Sequence, residues 1–338
     1  MKKLFSYLLL LLGCSFFSVA QAQVAPASST EMVFVSDTQQ PMWIETLLLK
    51  PNHNTSATAG IFSEILRRKP QNLYMLGDVV SLGYSKKKWK NVDRFLDTCR
   101  KAGTRVYGIL GNHEILGRRK KGELNFAKRF PQNVRTGYVA IADSVAVILL
   151  NSNFNALSTA ELTKQKSWYE DVLNALDKTD SIRAVIVACH HAPFSNSKIV
   201  GSSARVQQYF VPAYLQSKKA QLFITGHAHA FEHFVRQGKN FVVIGGGGGL
   251  HQPLSNAANR MEDLSTDYKP MFHYLAVQRL GDKLIATSYF LKDNFIAFEA
   301  GHSFTTEIAG KAQTALNNGA TAPHSENGVT LPLKASNK

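Results

Sequence analysis

The chain has 338 residues, 44% hydrophobic and 19% charged, which is enough apolar material to build a sizeable core and excludes a disordered or low-complexity protein. Lys and Arg outnumber Asp and Glu by 39 to 24, a formal charge of +15. That excess either coats solvated faces or attracts anions such as phosphate esters, acidic lipid headgroups or nucleic acid, and no nucleic-acid module signature accompanies it.

The N-terminus opens Met1-Lys2-Lys3 and runs apolar over residues 4–19 to Ala20-Gln21-Ala22, a small-x-small pattern. This is the anatomy of a secretory signal peptide over residues 1–22, with an apolar core short of the about 20 residues a membrane span needs. A rival reading takes Leu11-Leu12-Gly13-Cys14 as a lipoprotein box with a lipid anchor on Cys14. The bulk of Leu12 and the apolar stretch after Cys14 count against it. An exported protein, periplasmic or secreted, is expected, with no transmembrane helix after cleavage. Only Cys99 and Cys189 then remain, which is no disulfide framework; both are expected as buried thiols.

After a short linker over 23–30, strand-like and helix-like segments alternate. Residues 32–35 read as a strand, and 56–68 as a helix with Ile61, Phe62, Ile65 and Leu66 on its apolar face. A strand over 73–76 precedes a helix over 91–102, whose Val92, Phe95, Leu96 and Cys99 share a face and which Gly103 ends. A strand over 106–110 follows. Segments 139–141 and 145–150 flank Asp143-Ser144 and predict a hairpin. Ser158 and Glu161 form a capping-box pattern, with Leu157 and Leu162 placed as its hydrophobic staple and Tyr169, Val172, Leu173 and Leu176 continuing the apolar face. Buried strands are expected at 184–188 and 222–224. Strands joined by turns are expected over 231–298, clearest at 241–244, 274–277 and 284–291. Periodicity ends after about Ala309, and residues 310–338 read as a tail. One α/β domain over 31–309 with two packed sheets is the expectation.

Five polar islands follow these strand candidates: Ser36-Asp37-Thr38-Gln39, Gly77-Asp78, Gly111-Asn112-His113-Glu114, Cys189-His190-His191-Ala192-Pro193 and Gly226-His227-Ala228-His229. Open α/β sheets collect ligands beyond the carboxyl ends of their strands, so residues distant in sequence can meet there. Any one island is weak, since Gly-Asp and His-x-His arise by chance. The ordered set of Asp, Asp, Asn-His, His and His-x-His describes a metal centre of the kind that hydrolyses phosphate esters. The run from Gly245 to Gly249 either cradles phosphate with its backbone N–H groups or turns tightly beside the metal loops. His251 and Asn153 are further candidates for the pocket lining, whereas His53 and His233 have no partner pattern and are expected at the surface.

The set resembles the calcineurin-like metallophosphoesterases, a superfamily that includes the purple acid phosphatases, over roughly residues 31–298. The resemblance implies a four-layer α/β/β/α sandwich of two mixed sheets flanked by helices. It implies two divalent ions, of Mn, Zn or Fe, and a bridging water as the nucleophile for in-line attack on phosphorus. Carried over by position, Asp37, Gln39 and His229 would hold the first ion, Asp78 would bridge, and Asn112, His191 and His227 would complete the second. His191 is preferred to His190 because it directly precedes Ala192-Pro193; His190 is expected behind it or in the core. His113 would approach the phosphoryl group or the leaving oxygen, and Glu114 would either orient it or cap the following segment. One position departs from the family: Gln39 stands where the first motif has His, a neutral and weaker donor. Ser81 stands where purple acid phosphatases carry their iron-binding Tyr, so no iron–tyrosinate colour is expected. The substrate is expected to be a phosphorylated small molecule or another anionic phosphoester. Two alternatives stay open: a phosphodiesterase or nucleotide pyrophosphatase on the same site, and a non-catalytic binding protein on the same scaffold.

Overall fold

A computed structural model describes residues 31–265 and 272–308. The expected signal peptide, linker and tail lie outside the described residues. No described helix is long and apolar enough to cross a membrane. The elements in order are β1 Met32–Val35, α1 Asn54–Arg68, β2 Asn72–Met75, α2 Lys86–Lys101, β3 Arg105–Gly108, α3 Asn112–Ile115, α4 Arg119–Arg129, β4 Tyr138–Ala142, β5 Val145–Leu149, α5 Thr159–Lys178, β6 Ala184–Ala188, α6 Ala204–Tyr209, α7 Val211–Gln216, β7 Ala220–Thr225, β8 Phe231–Arg236, β9 Lys239–Ile244, β10 His273–Leu280, β11 Lys283–Leu291 and β12 Phe298–Glu307.

The strands form two six-stranded mixed sheets, ordered β12-β11-β10-β1-β2-β3 and β4-β5-β6-β7-β9-β8. β1, β2 and β3 run parallel in the first, and β5, β6, β7 and β9 in the second. The strands read as unbroken apolar runs because both of their faces are buried. Met32 and Phe34 of β1 and Ile186 and Ala188 of β6 point into the core between the sheets. Their neighbours Val33 and Val35 pack outward under α1 and α2, while Val185 and Val187 pack outward under α5 to α7. The result is the expected α/β/β/α sandwich.

Local signals act where the sequence placed them. Ser158 Oγ accepts from Glu161 N at 3.3 Å, and Glu161 returns a bond to Ser158 N at 2.8 Å, closing the capping box of α5. Asp143 and Ser144 both take positive φ, 45° and 59°, as a two-residue hairpin between β4 and β5 needs. α2 starts five residues before the predicted 91, because the fully buried Trp89 extends the Val92–Leu96 stripe into a lysine run that reads as solvated.

Candidate metal centre

The five islands are the loops that leave the carboxyl ends of β1, β2, β3, β6 and β7, at one end of the sandwich. Direct hydrogen bonds tie the two sets of loops together. Asp37 Oδ2 accepts the N–H of His227 at 2.9 Å, and His190 Nδ1 lies 2.9 Å from the carbonyl of Leu76, to which it donates. Three of the island residues carry left-handed backbone: Asp37 at φ 59°, Asp78 at 49° and His227 at 66°. Non-glycine residues hold such conformations only where their surroundings over-determine them, characteristically at functional sites.

One half of the centre is built by Asp37, Gln39 and His229. His229 Nδ1 sits 2.6 Å from the carbonyl of Leu250 and donates to it, so the neutral ring offers Nε2 as an acceptor. Asp37 Oδ1 lies 3.4 Å from that nitrogen and is buried with no hydrogen-bond partner among the described residues. The Gln39 amide is oriented by its surroundings. Its nitrogen donates to the backbone carbonyls of Asp37, 3.1 Å, and Asp78, 2.8 Å, which turns its oxygen toward His229 Nε2 at 3.3 Å. Asp37 Oδ1, His229 Nε2 and the Gln39 oxygen thus converge, and although burial opposes charge on His229, Asp37 raises its pKa, so the spot attracts either a ring proton or a cation. Unpaired buried acceptors are costly, and such a group fits a cation.

The other half gathers Asp78, Asn112, His190 and His227, with His191 beside them. His190 Nε2 is 3.3 Å from Asp78 Oδ2 and 3.1 Å from Asn112 Oδ1. His190, expected behind His191 or in the core, is fully buried, and with Nδ1 donating to the carbonyl of Leu76 its second nitrogen points into the centre. His191 is instead held through Nδ1 by Ser152 Oγ at 2.8 Å, and its ring stands 4.4 Å from that of His227. Ligand atoms of His190, His191 and His227 lie within 4.8 Å of one another, as do those of Asp37, Asp78 and His190.

The electrostatics match that geometry. Burial alone would raise the Asp78 carboxyl, but the imidazoles of His190 and then His113 hold it well below the usual carboxylate range. Burial opposes charge on His190, yet the Asp78 carboxylate raises it to about 10. Burial, then the neighbouring His190, lowers His191 to about 3 and His227 well below the ordinary histidine value. The Asp78 carboxylate therefore favours a positive charge against it, either a proton on His190 or a cation in that proton's place.

His113 contributes its backbone N–H to Asp78 Oδ1 at 2.7 Å, while its ring Nδ1 donates to the carbonyl of Ser81 at 3.1 Å. Nε2 faces the cleft, 3.8 Å from Asp78 Oδ2 and 3.6 Å from Glu45 Oε1. Glu45 went unnoticed in the sequence because the segment around it has no periodicity. The His113 ring is held by Ser81, and Glu114 acts elsewhere. Its carboxylate accepts the N–H groups of Asp78 at 2.9 Å, Gly111 at 2.8 Å and Val80 at 3.1 Å, and so shapes the Asp78 turn.

The remaining candidates support the loops. Asn153 Nδ2 donates to the carbonyl of Leu110 at 2.9 Å and ties β5 to β3. His251 packs on the Phe272 ring, 4.3 Å between centroids, while its neighbour Gln252 lines the cleft. In the glycine run, Gly247 N and Gly249 N donate to the carbonyls of Ser36 and Asp37, both at 2.9 Å, so these amides brace the metal loops. A Cβ at Gly249 would overlap the His229 ring. His53 is exposed, as expected, but His233 is 2% exposed and bonds to His302 and Asn240, both at 2.9 Å. The cleft over the centre has a volume of about 180 Å³. A larger cavity of about 400 Å³ between α1 and α2 contains none of the candidate ligands.

The chain belongs to the calcineurin-like phosphoesterase family, whose model matches residues 31–231, and is a metallophosphoesterase by that membership. Among solved structures it is similar in fold to a purple acid phosphatase from yellow lupin seeds, with TM-score 0.65 and 14% identity over 83% of this chain and 55% of that one. The chain thus spans about half the length of the lupin protein. It is also similar to a Plasmodium protein described as the anchor in the inner membrane complex, TM-score 0.59 and 14% identity, covering 83% and 90% of the two chains. A dimetal phosphatase from Danio rerio gives TM-score 0.52 and 13% identity, covering 83% and 99%.

Proposed function

We propose that this chain is an exported hydrolase of phosphate esters that works with two divalent cations. Asp37, Gln39 and His229 would hold one, Asn112, His190 and His227 the other, and Asp78 would face both. His191 is the alternative to His190, and its bond to Ser152 favours a supporting place. The observation that carries the reading is the convergence of buried Asp37 Oδ1, His229 Nε2 and the Gln39 oxygen at one point. Divalent cations in such a site supply Lewis acidity: they neutralise charge on phosphoryl oxygens and acidify water. Imidazole with carboxylate and amide oxygen suits Mn, Zn or Fe. The apolar run over residues 4–19 supports export.

The chain's own residues do the rest. His113 Nε2 opens to the cleft and, protonated, donates to the oxygen of the departing alcohol. Glu45 Oε1 and Asp78 Oδ2 both face that nitrogen, at 3.6 and 3.8 Å. The Asn112 amide and the His227 ring line the same cleft and orient the phosphoryl group against it.

Elemental analysis after loading with Mn or Zn should approach two ions per chain. The loaded protein should hydrolyse a generic phosphomonoester or phosphodiester. One ion per chain at saturation would remove the Gln39 half of the centre. Two ions without hydrolysis of either ester would favour the non-catalytic alternative.

A further inference from the structure

The cleft carries a second chemistry that phosphate does not use. Beside Asn112, His113 and His227 its wall is made by Leu48, Leu49, Ile199 and Val200. This wall continues onto the surface, where Trp43 is 76% exposed, Ile44 53%, Leu47 70% and Leu48 83%, with Ile199 at 48% on the same cleft. Single exposed apolar residues are ordinary, but four within six consecutive positions, joined by a fifth on the same cleft, form a patch. The cause is local. Glu45 turns inward, accepting from Met42 N at 2.5 Å and facing His113, and this commits one side of the short turn to the cleft and leaves the apolar side chains outside.

Cations border the patch. Lys50 follows Leu49 and Lys198 precedes Ile199, both exposed. The exposed run Arg118-Arg119-Lys120-Lys121 follows α3, which carries His113, with exposed Leu116 between. An apolar turn bearing a tryptophan, with exposed lysine and arginine in the segments that flank the cleft, has the composition of a surface that enters an anionic lipid interface.

We infer that the substrate is an amphiphilic phosphoester presented in a lipid surface, with its phosphate in the cleft and its apolar alcohol portion along Leu48, Leu49, Ile199 and Val200, while Trp43, Ile44 and Leu47 rest in the apolar layer. The substrate class rests on the phosphoesterase reading above; the docking turn is tested apart from it.

The full chain is used throughout, so the apolar N-terminal run is common to every sample. Emission of Trp43 reports docking directly, since Trp89 is fully buried and Trp168 partly so. Vesicles containing phosphatidic acid should shift the emission to the blue, vesicles of phosphatidylcholine alone should do so less, and Trp43→Phe should remove the shift. With Mn or Zn supplied, KM should fall along a series of methyl, butyl and octyl phosphates by roughly fourfold per methylene while the chain lies on the wall. Leu47→Ser with Leu48→Ser should weaken vesicle binding at least tenfold and raise KM more for octyl than for methyl phosphate. An emission unmoved by phosphatidic-acid vesicles overturns the inference, and if KM still falls with chain length the site takes a soluble apolar ester instead. A KM independent of chain length overturns it equally. Hydrolysis of no phosphoester at all would sink the phosphoesterase reading, and the vesicle measurement would then decide the docking turn alone.

Discussion

Replacing Glu114 with Ala tests whether one buried carboxylate shapes the turn that presents Asp78. Three buried N–H groups, of Asp78, Val80 and Gly111, have their acceptor in this side chain. Each buried donor left unpaired costs about 1–3 kcal/mol, and because the three share one hole their penalties overlap, so a total of about 3–5 kcal/mol is expected. The carboxylate also carries its own cost. Burial, and after it the Asp78 charge, raises its pKa to about 7 from the usual 4.5. A carboxyl whose folded pKa is raised favours folding in its protonated form. Its contribution is complete below pH 4.5 and is lost as pH rises through 7. Between pH 5 and pH 8 that loss amounts to about 2.5 kcal/mol. Urea unfolding of chelator-treated wild type and Glu114→Ala at the two pH values should therefore show a destabilisation about 2–3 kcal/mol larger at pH 5 than at pH 8. Equal destabilisation at both would refute the buried charge, and a cost below about 1 kcal/mol at pH 5 would refute the three-bond anchor.

His113→Ala removes a proton donor and no proposed ligand, so ion content should persist while turnover falls by about 10²–10⁴-fold, less for esters with good leaving groups; equal losses across a leaving-group series would exclude the acid role. Gln39→Ala should weaken binding of the first ion, and Gln39→His should tighten it if the ring fits where the amide is now anchored on the carbonyls of Asp37 and Asp78; titration calorimetry with Mn or Zn showing no change in either variant would place Gln39 outside the centre. Acid should loosen the far edge of the sandwich: burial lowers the pKa of His233 to about 4 from 6.5, so its contribution is intact above 6.5 and disappears as pH falls through 4, about 3 kcal/mol in all. His233→Phe should flatten that part of the stability–pH curve, and an unchanged curve would show that another group titrates.

The strands and the islands behind them were legible because burial on both faces writes an apolar run and a polar residue ends it; β6 was read to the residue. The hairpin and the capping box were legible because two or three adjacent residues carry their whole signal. The geometry favours His190 where the sequence favours His191, and the reason is instructive. The following proline turn points to His191, whereas the alternation that sends Ile186 and Ala188 between the sheets continues one step to His190. That period-2 signal lay in the sequence and outweighs the turn. Glu45, Gln252 and the apolar wall lie in segments without periodicity, and only the fold brings them to the cleft. His233 was misplaced because its partners, Asn240 and His302, come from other strands.

The left-handed backbone at Asp37, Asp78 and His227 shows how the loops are held in the geometry of the centre. Such conformations cost about 1–3 kcal/mol each for a non-glycine residue. Left alone, three loops would relax out of them and scatter their side chains. Each is held by a neighbour that is itself part of the site. Asp37 N donates to the carbonyl of Gly77 at 3.1 Å, Gln39 N donates to the carbonyl of Asp78 at 3.0 Å, and His227 N donates to the carboxylate of Asp37. Asp78 N in turn donates to Glu114. The glycines that interleave these residues are needed for the same closeness: a Cβ on Gly226 would overlap Ser36 and Asp37, and one on Gly111 would overlap Asp78. Ligands and braces are therefore one network, in which Asp37 spends one oxygen on His227 and keeps the other without a donor. A carboxylate used in both ways at once ties the loops of the two sheets together and leaves an unpaired oxygen at the point where they meet, where a cation would be its natural partner.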